Sequence, residues 1–249
     1  MVFAAFDRQR RLSIALKLLC PGYGFGAFRE ARAMSAVSHP NVVAVYDAGM
    51  IHDVAYLTME LVRGTTLVEW TANPQTPDDV VWAMTHAGRG LAAAHAAGII
   101  HRDFKPANVL IGRRGAIKVA DFGLAAWAPP RGVEGSSSRR DRTTAPSALV
   151  GTEPYMAPES AAGQAASARS DQFSFCATLY ELLAGRQLFP SGTAIDAPPG
   201  TVEHGLEYLH HTGRAGHALL CVLARGLAFD PDMRYPTMDH LLADLARAA

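Results

Sequence analysis

The sequence has few cysteines, no excess charge and no long apolar run, and each of these absences excludes a class of protein. Its three cysteines (Cys20, Cys176 and Cys221) form neither a CxxC pair nor an even framework, which favours a reducing, cytoplasmic setting over a disulfide scaffold. No run of about 18 apolar residues occurs, so no membrane-spanning segment is predicted. Lysine plus arginine and aspartate plus glutamate both number 23, and this balance argues against a nucleic-acid-binding protein.

The hydrophobic pattern divides the chain into a strand-rich part and a helical part. In residues 1–62 it predicts strands at 13–19, 42–46 and 54–59, with one helix at 27–37. Further along it predicts a helix that begins at 76 and three more helices at 173–184, 217–228 and 238–248. It also predicts a strand pair at 109–111 and 117–119. We therefore expect an α+β fold with a small antiparallel-sheet lobe followed by a larger helical lobe at 63–249.

The start of the first long helix has a clear chemical signature. Thr76 can accept a hydrogen bond from free backbone N–H groups, and Pro77 suits the first helical turn. Asp78 and Asp79 favour the positive end of the helix dipole. The sequence predicts that this helix ends at Gly98.

Three polar motifs follow one another along the helical part. They are His101-Arg102-Asp103-Phe104-Lys105-Pro106-Ala107-Asn108, then Asp121-Phe122-Gly123, then Gly-Thr-Glu-Pro-Tyr-Met-Ala-Pro-Glu at 151–159. In this order and at this spacing they resemble the protein kinase family, especially its eukaryotic-like bacterial Ser/Thr members, and the resemblance runs from Val2 to the end. It implies a bilobal protein-kinase-like fold with an activation segment at 121–159.

The resemblance implies a role for each polar residue of the first two motifs. Asp103 would accept or orient the proton of the attacking hydroxyl, and Lys105 would contact the transferring phosphoryl group. Asn108 and Asp121 would bind Mg²⁺, with Mn²⁺ as the alternative ion, because both offer hard oxygen ligands. ATP is the implied phosphoryl donor.

An ATP site is implied by the same resemblance. Lys17, in Ile-Ala-Leu-Lys, resembles the strand lysine that contacts the α- and β-phosphates. Glu30 would be its partner, since it is the only glutamate between Lys17 and Glu60, although the spacing of 13 residues is shorter than is usual in the family. The residues expected around the adenine are Met59 at the back of the pocket, the backbone of Glu60 and Val62 at its edge, and Val2, Ala15 and Leu110 on its faces.

Other matching residues are expected to be structural. His101 and Phe122 would stack in the core between the lobes. Asp171 would bind the backbone of the catalytic loop. Glu159 and Arg234 would form a buried ion pair.

The motifs also resemble the Ser/Thr-directed branch of the family and its regulation by phosphorylation. Lys105-Pro106 and Gly151-Thr152 are typical of that branch, which implies protein substrates with Ser or Thr acceptors. Arg102, directly before Asp103, resembles kinases that are activated when an activation-loop phosphate pairs with arginine. The candidate acceptors are Thr143, Thr144, Thr152 and, less directly, Ser136–Ser138, and a homodimer would allow trans-autophosphorylation. The alternative is a polar loop that is never modified.

The glycine-rich loop of the family has no counterpart after Met1. From the resemblance it is expected immediately before Val2, so we expect an exposed sheet edge, weak nucleotide binding and slow transfer. One explanation is a start assigned about 20–30 residues late on the family's layout; the other is a genuinely short form that acts as a pseudokinase scaffold. A small-molecule phosphotransferase is a third alternative, disfavoured by Ala157-Pro158-Glu159 and Arg234.

Two further patterns invite a ligand interpretation and are better explained otherwise. Residues 22–26 (Gly-Tyr-Gly-Phe-Gly) lack GxGxxG spacing and follow Lys17, so we interpret them as a connection. His217 and Cys221, four apart on a predicted helix near His210 and His211, are interpreted as solvated histidines beside a cysteine, and no metal site is expected.

Overall fold

The computed structural model describes residues 1–19, 34–35, 37–52, 54–122 and 154–248. The strands in these residues are β1 (Val2–Asp7), β2 (Leu12–Leu18), β3 (Val45–Ile51), β4 (Val54–Glu60), β5 (Gly64–Thr66), β6 (Val109–Gly112) and β7 (Ile117–Val119). The helices are α1 (Leu67–Trp70), α2 (Pro77–Ala96), α3 (Pro158–Ala161), α4 (Ala168–Ala184), α5 (Thr201–His211), α6 (His217–Gly226) and α7 (Met238–Ala248). A small antiparallel sheet thus precedes a larger helical lobe, and the expected α+β architecture is confirmed.

The first sheet is antiparallel, with strand order β1-β2-β4-β3. Its register places Lys17 on β2 opposite Val2 on β1 and opposite Leu57 on β4. Strand β1 lies at one edge of this sheet, and its Phe3 and Phe6 side chains are exposed. The alternation rule did not identify β1 as a strand because its apolar residues are consecutive and do not line a buried face.

The third strand of this sheet begins later than the sequence pattern predicted. The pattern favoured 42–46, whereas β3 spans Val45–Ile51. Val42 instead forms an isolated parallel bridge with Val119 on β7. Its apolar character reflects burial against the second sheet, which tertiary packing decides and local propensity does not.

The first long helix begins and ends where its sequence signals lie. The Thr76 hydroxyl accepts from the backbone N–H of Asp79, and the Asp79 side chain accepts from the Thr76 N–H in return, which forms a capping box. The predicted apolar face of α2 is buried against the other helices of the lobe. Gly98 follows the helix with φ +75°, a left-handed conformation that a glycine adopts without strain.

The buried helix of the lobe is α4, which begins five residues before the pattern predicted. Ser167 caps its N-terminus, and Phe173, Phe175 and Leu179 are fully buried along it. Helix α5 was not predicted because Gly205 interrupts its pattern. A Cβ at Gly205 would lie 2.5 Å from the Leu188 side chain, so this glycine allows close packing.

The second sheet has the strand order β5-β6-β7. The loop before β3 is tied to β7, because Val119 donates to the Asn41 carbonyl and its own carbonyl accepts from Val43, both at 2.9 Å. Helix α2 approaches the same loop so closely that a Cβ at Gly90 would lie 2.4 Å from the Asn41 oxygen. None of the helices in the described residues combines the length and apolar character that crossing a bilayer requires.

Candidate active site

The catalytic-loop motif is held at its beginning by one buried carboxylate. Asp171, near the N-terminus of α4, accepts the backbone N–H of His101 at 2.7 Å and that of Arg102 at 2.9 Å. Arg102 has φ +68°, a left-handed conformation that costs a non-glycine residue about 1–3 kcal/mol. The two hydrogen bonds from one carboxylate stabilise this backbone, which turns the chain before Asp103.

The residues expected to act on the substrate hydroxyl and the phosphoryl group contact one another. The Lys105 ammonium lies 3.0 Å from Oδ1 of Asp103. The Asn108 amide group donates to the Asp103 carbonyl at 2.7 Å and to its Oδ2 at 3.1 Å. Both carboxylate oxygens of Asp103 therefore have a donor, and the side chain is held in one orientation.

The amide orientation of Asn108 suits a metal ligand. Because its nitrogen donates to Asp103, its carbonyl oxygen is the atom left to face outward from that contact. The Asn108 backbone carbonyl also accepts from Ala120 at 2.9 Å, which places it beside the residue that precedes Asp121. An amide oxygen and a carboxylate are hard ligands of the kind that Mg²⁺ takes together with phosphate oxygens and water.

Asp121 is joined to the strand lysine by a direct ion pair. The Lys17 ammonium lies 2.8 Å from Oδ1 of Asp121, and about a third of the Asp121 side chain is exposed. Asp121 has φ +61° and lies two residues after the end of β7. The pair connects β2 of the first sheet to the residues that follow β7.

Two aromatic rings pack behind these residues. The ring centroids of His101 and Phe122 lie 4.6 Å apart, and both side chains are buried. The His101 Nε2 lies 3.0 Å from the Ala120 carbonyl, and its Nδ1 accepts the Asp103 N–H, which together fit the neutral imidazole. Burial lowers the pKa of His101, although the nearby carboxylates of Asp171 and Asp103 oppose the effect.

Most residues expected around the adenine lie in one apolar cluster. Ala15 and Met59, which are paired across β2 and β4, are buried in it, and Val62 and Leu110 pack against it. Val2 lies opposite Lys17 but is 56% exposed and does not belong to the cluster. Five of the six expected residues are therefore close to the cluster or, like Glu60, adjoin it in sequence.

The end of the third motif is anchored to the helical lobe by the expected ion pair. The Arg234 guanidinium binds Glu159 through two parallel contacts of 2.7 and 2.8 Å, and both side chains are buried. Burial alone would raise the pKa of Glu159, but the hydrogen bonds from Arg234 and from Ser170 outweigh it, so the pKa is lowered. Arg234 also donates to the Phe229 carbonyl and to two others, which satisfies its remaining N–H groups.

The structure adds three contacts that the sequence motifs did not indicate. His95 Nε2 lies 2.7 Å from Oδ2 of Asp171, and the Tyr155 hydroxyl lies 2.5 Å from a carboxylate oxygen of Glu181. The third is the pair of Lys118 with Glu60 at 2.9 Å. Lys118 is a charged residue between the apolar Ile117 and Val119 of a short strand, but nothing in the sequence indicates the partner of any of these three contacts.

Several predicted residues lie outside the described part of the chain. They are Glu30, Gly123, Ser136–Ser138, Thr143, Thr144, Gly151, Thr152, the glycines at 22–26 and most of the helix predicted at 27–37. On α6 the Cys221 sulfur lies 3.7 Å from Nε2 of His217, and no metal-binding group of three or more His, Cys, Asp or Glu occurs in the described residues. The roles of the undescribed residues stay predictions.

The chain is similar in sequence to bacterial serine/threonine protein kinases. The serine/threonine-protein kinase PknB of Mycobacterium tuberculosis is 34% identical over 268 residues, which cover 99% of this chain and 40% of that protein. The probable serine/threonine-protein kinase CE0033 of Corynebacterium efficiens is 35% identical over 261 residues, covering 98% of this chain and 38% of that protein. The chain thus spans about two fifths of the length of these curated relatives.

The fold is shared with a solved structure, and a family match covers most of the chain. The crystal structure of the Mycobacterium tuberculosis PknI kinase domain has a TM-score of 0.76 at 24% identity, covering 100% of this chain and 90% of that one. Residues 2–204 match the family described as protein kinase domain. The chain belongs to the protein kinase domain family.

Proposed function

We propose that this domain is a serine/threonine protein kinase that transfers the γ-phosphoryl group of ATP to serine or threonine hydroxyls of proteins. The observation that supports this most strongly is the contact set of Asp103, whose carboxylate is oriented by Lys105 and Asn108 within about 3 Å. The names of the curated relatives PknB and CE0033 point the same way.

The proposed step needs alignment and charge neutralisation more than covalent chemistry. Asp103 orients the substrate hydroxyl and takes its proton while the hydroxyl oxygen bonds to the γ-phosphorus. The bond between that phosphorus and the bridging oxygen breaks, and ADP leaves with the electron pair. Lys105, 3.0 Å from Asp103, offers a positive charge to the phosphoryl oxygens that pass between donor and acceptor.

Asn108 and Asp121 would hold a divalent cation, with Mg²⁺ favoured and Mn²⁺ as the alternative. Such a cation neutralises charge on the β- and γ-phosphates when bound. Lys17 is 2.8 Å from Asp121 and would exchange part of that contact for the α- and β-phosphates. Glu30 is proposed as its partner in the nucleotide-bound state.

The finer assignments rest on the sequence motifs. Lys105 with Pro106 and the Gly151-Thr152 pair support Ser/Thr acceptors. We also propose a lobe boundary after residue 62, an activation segment at 121–159 phosphorylated at Thr143 or Thr144, and a transient homodimer for that reaction. The scarcity of cysteines supports a cytoplasmic domain.

One experiment distinguishes a protein kinase from the two alternatives, a small-molecule phosphotransferase and a pseudokinase scaffold. The purified protein is incubated with Mg²⁺ and γ-labelled ATP, with a generic basic protein as acceptor and with a panel of small hydroxyl compounds and aminoglycosides. A kinase labels serine or threonine in the protein, and Asp103→Asn abolishes the labelling. Labelling of small molecules alone indicates a small-molecule phosphotransferase, and nucleotide binding without any transfer indicates a scaffold.

A further inference from the structure

An ion pair joins β4, whose last residue is proposed to read the adenine, to β7, which ends two residues before Asp121. The Lys118 ammonium, on β7, lies 2.9 Å from Oε2 of Glu60, the last residue of β4. The two side chains are 16% and 29% exposed, so the pair is largely shielded from solvent. It therefore spans the connection between the first sheet and the second.

Lys118 and Glu60 both contact the loop at residues 42–44, which precedes β3. The Lys118 ammonium also lies 3.5 Å from the Val42 carbonyl. The Glu60 N–H donates to the Ala44 carbonyl at 2.8 Å, and the Ala44 N–H reaches back toward Oε2 of Glu60 at 3.4 Å. One ammonium thus neutralises Glu60 and holds it against the 42–44 loop, which is itself tied to β7.

The position of Lys118 relates this contact to the nucleotide. Lys118 lies directly opposite Leu110 in the β6–β7 register, and Leu110 packs against the apolar cluster expected to hold the adenine. Asp121 follows it by three residues. The backbone carbonyl proposed to read the adenine edge belongs to Glu60, so a displacement of this residue moves it. The phosphate end of the site is formed by a different ion pair, that of Lys17 with Asp121.

Removing the ammonium has a predictable local effect. Among the described residues, the Glu60 carboxylate would keep only the long contact from Ala44 in a largely enclosed position, and an unpaired carboxylate there favours rotation toward water. Rotation of the Glu60 side chain would also break the contact from the Ala44 N–H to Oε2, and with it one of the contacts that hold the end of β4 against the 42–44 loop. The purine-binding end of the site is disturbed in this way, and the phosphate end is not.

We propose that Lys118 is a positioning residue for adenine recognition, acting through its ion pair with Glu60. This inference rests on the proposed ATP site and names a determinant of its purine selectivity. A residue that served stability alone would affect all nucleotides equally when it was replaced. Lys118 instead sets the preference for adenine over another purine.

The test compares nucleotide affinities in binding assays that need no phosphoryl transfer. Dissociation constants for Mg–ADP, Mg–GDP and Mg–tripolyphosphate are measured for the wild type, Lys118→Met, Lys118→Arg and Glu60→Gln. Lys118→Met is expected to weaken ADP binding by about 5-fold or more, at the lower end of typical couplings between sites. In Lys118→Met the affinity for tripolyphosphate stays the same, and the ratio of ADP to GDP affinity falls. Lys118→Arg keeps the positive charge, so it should keep most of the ADP affinity and most of the wild-type affinity ratio.

The chain offers a matched control in the sheet that contains Glu60. Arg10 also bridges a carboxylate and a carbonyl, those of Asp7 at 3.0 Å and Tyr46 at 3.4 Å, but it lies at the β1–β2 turn. Arg10→Met should leave the affinity ratio unchanged. A double-mutant cycle with Lys118→Met and Glu60→Gln should show that the two losses are not additive.

Failure of this inference is distinct from failure of the proposed function. A wild type that binds ADP and a Lys118→Met variant with the same affinities and the same ratio overturn the inference alone. Equal weakening of ADP, GDP and tripolyphosphate also overturns it, because that result indicates general destabilisation. A wild type that binds no adenine nucleotide overturns both, and one that binds ADP selectively but transfers nothing overturns only the proposed transfer.

Discussion

Asp171 holds Arg102 in a left-handed backbone conformation by accepting its N–H at 2.9 Å. The same carboxylate accepts the N–H of His101 and contacts His95, so three donors from two segments converge on one buried side chain. The consequence is that the orientation of Asp103, the next residue in the chain, depends on a residue of α4 that lies 68 positions further along the sequence.

Replacing Asp171 with asparagine should reduce kcat more than nucleotide affinity. The amide has one acceptor oxygen in place of two, so one backbone N–H loses its partner, and a buried unsatisfied donor costs about 1–3 kcal/mol. We expect kcat to fall at least 10-fold and Tm to fall with it, while the dissociation constant of Mg–ADP changes little. Asp232→Asn, which alters an exposed carboxylate paired with Arg169, is the control and should change neither quantity. Equal kcat values for both variants would contradict the role assigned to Asp171.

Arg234→Met should strongly destabilise the helical lobe. It leaves the Glu159 carboxylate buried without its guanidinium partner, a change that typically costs about 3–5 kcal/mol. Urea unfolding measures the loss as a shift in the free energy of unfolding. Arg169→Met removes an arginine from the exposed pair with Asp232 and should cost no more than about 1 kcal/mol. Equal free energies of unfolding for Arg234→Met and Arg169→Met would contradict a stabilising role of the buried Glu159–Arg234 pair.

Lys17→Met should weaken binding of Mg–ATP. The lysine is mostly buried, and its ammonium lies beside Asp121, where the phosphates are expected. A hydrogen bond to a charged group contributes about 1.5–3 kcal/mol, which corresponds to roughly 10- to 150-fold in the dissociation constant. Calorimetric titration provides the measurement, with Arg8→Met on the exposed β1–β2 turn as the control. Unchanged affinity in Lys17→Met would show that the phosphates bind elsewhere.

The stability of the domain should fall as the pH falls below about 6.5, partly because of His101. In the folded state, burial lowers the pKa of this histidine below its ordinary value of 6.5, whereas the unfolded chain keeps that ordinary value. Between the two pKa values the unfolded state binds one more proton, so stability is lost with decreasing pH, by up to about 1.4 kcal/mol per pH unit. His101→Phe removes this titration, and its stability should depend less steeply on pH from 6.5 downward. Parallel pH profiles for the wild type and His101→Phe would rule out a buried neutral His101.

The elements of the α+β fold could be predicted because local chemistry determines many of them, whereas the roles of the catalytic-loop residues are predicted from the resemblance of their motif to that of protein kinases. The capping box at Thr76 and Asp79 and the strand pair on either side of residues 112–115 depend on neighbours in sequence. The polar motif from His101 to Asn108 was identified as a unit by its resemblance to protein kinases, and the structure adds that Asp103 contacts both Lys105 and Asn108.

The remaining contacts depend on residues far apart in sequence. Nothing near His95 indicates that it contacts Asp171, and nothing near Glu60 indicates that Lys118 reaches it. The helix at 201–211 was missed since Gly205, which reads as a helix breaker, is required by the side chain of Leu188. Distant packing partners determine such features, and a single sequence does not identify them.

The central claim is that Asp103 directs phosphoryl transfer at a site that binds the nucleotide independently of it. The direct measurement is the rate of transfer from γ-labelled Mg–ATP to a protein substrate by the wild type and by Asp103→Asn, with Mg–ADP affinity measured on the same preparations. General-base residues typically contribute about 10²- to 10⁴-fold to the rate. We therefore expect a loss of at least about 100-fold with nucleotide affinity unchanged. Equal transfer rates in the two proteins, or no transfer by either, would contradict the account.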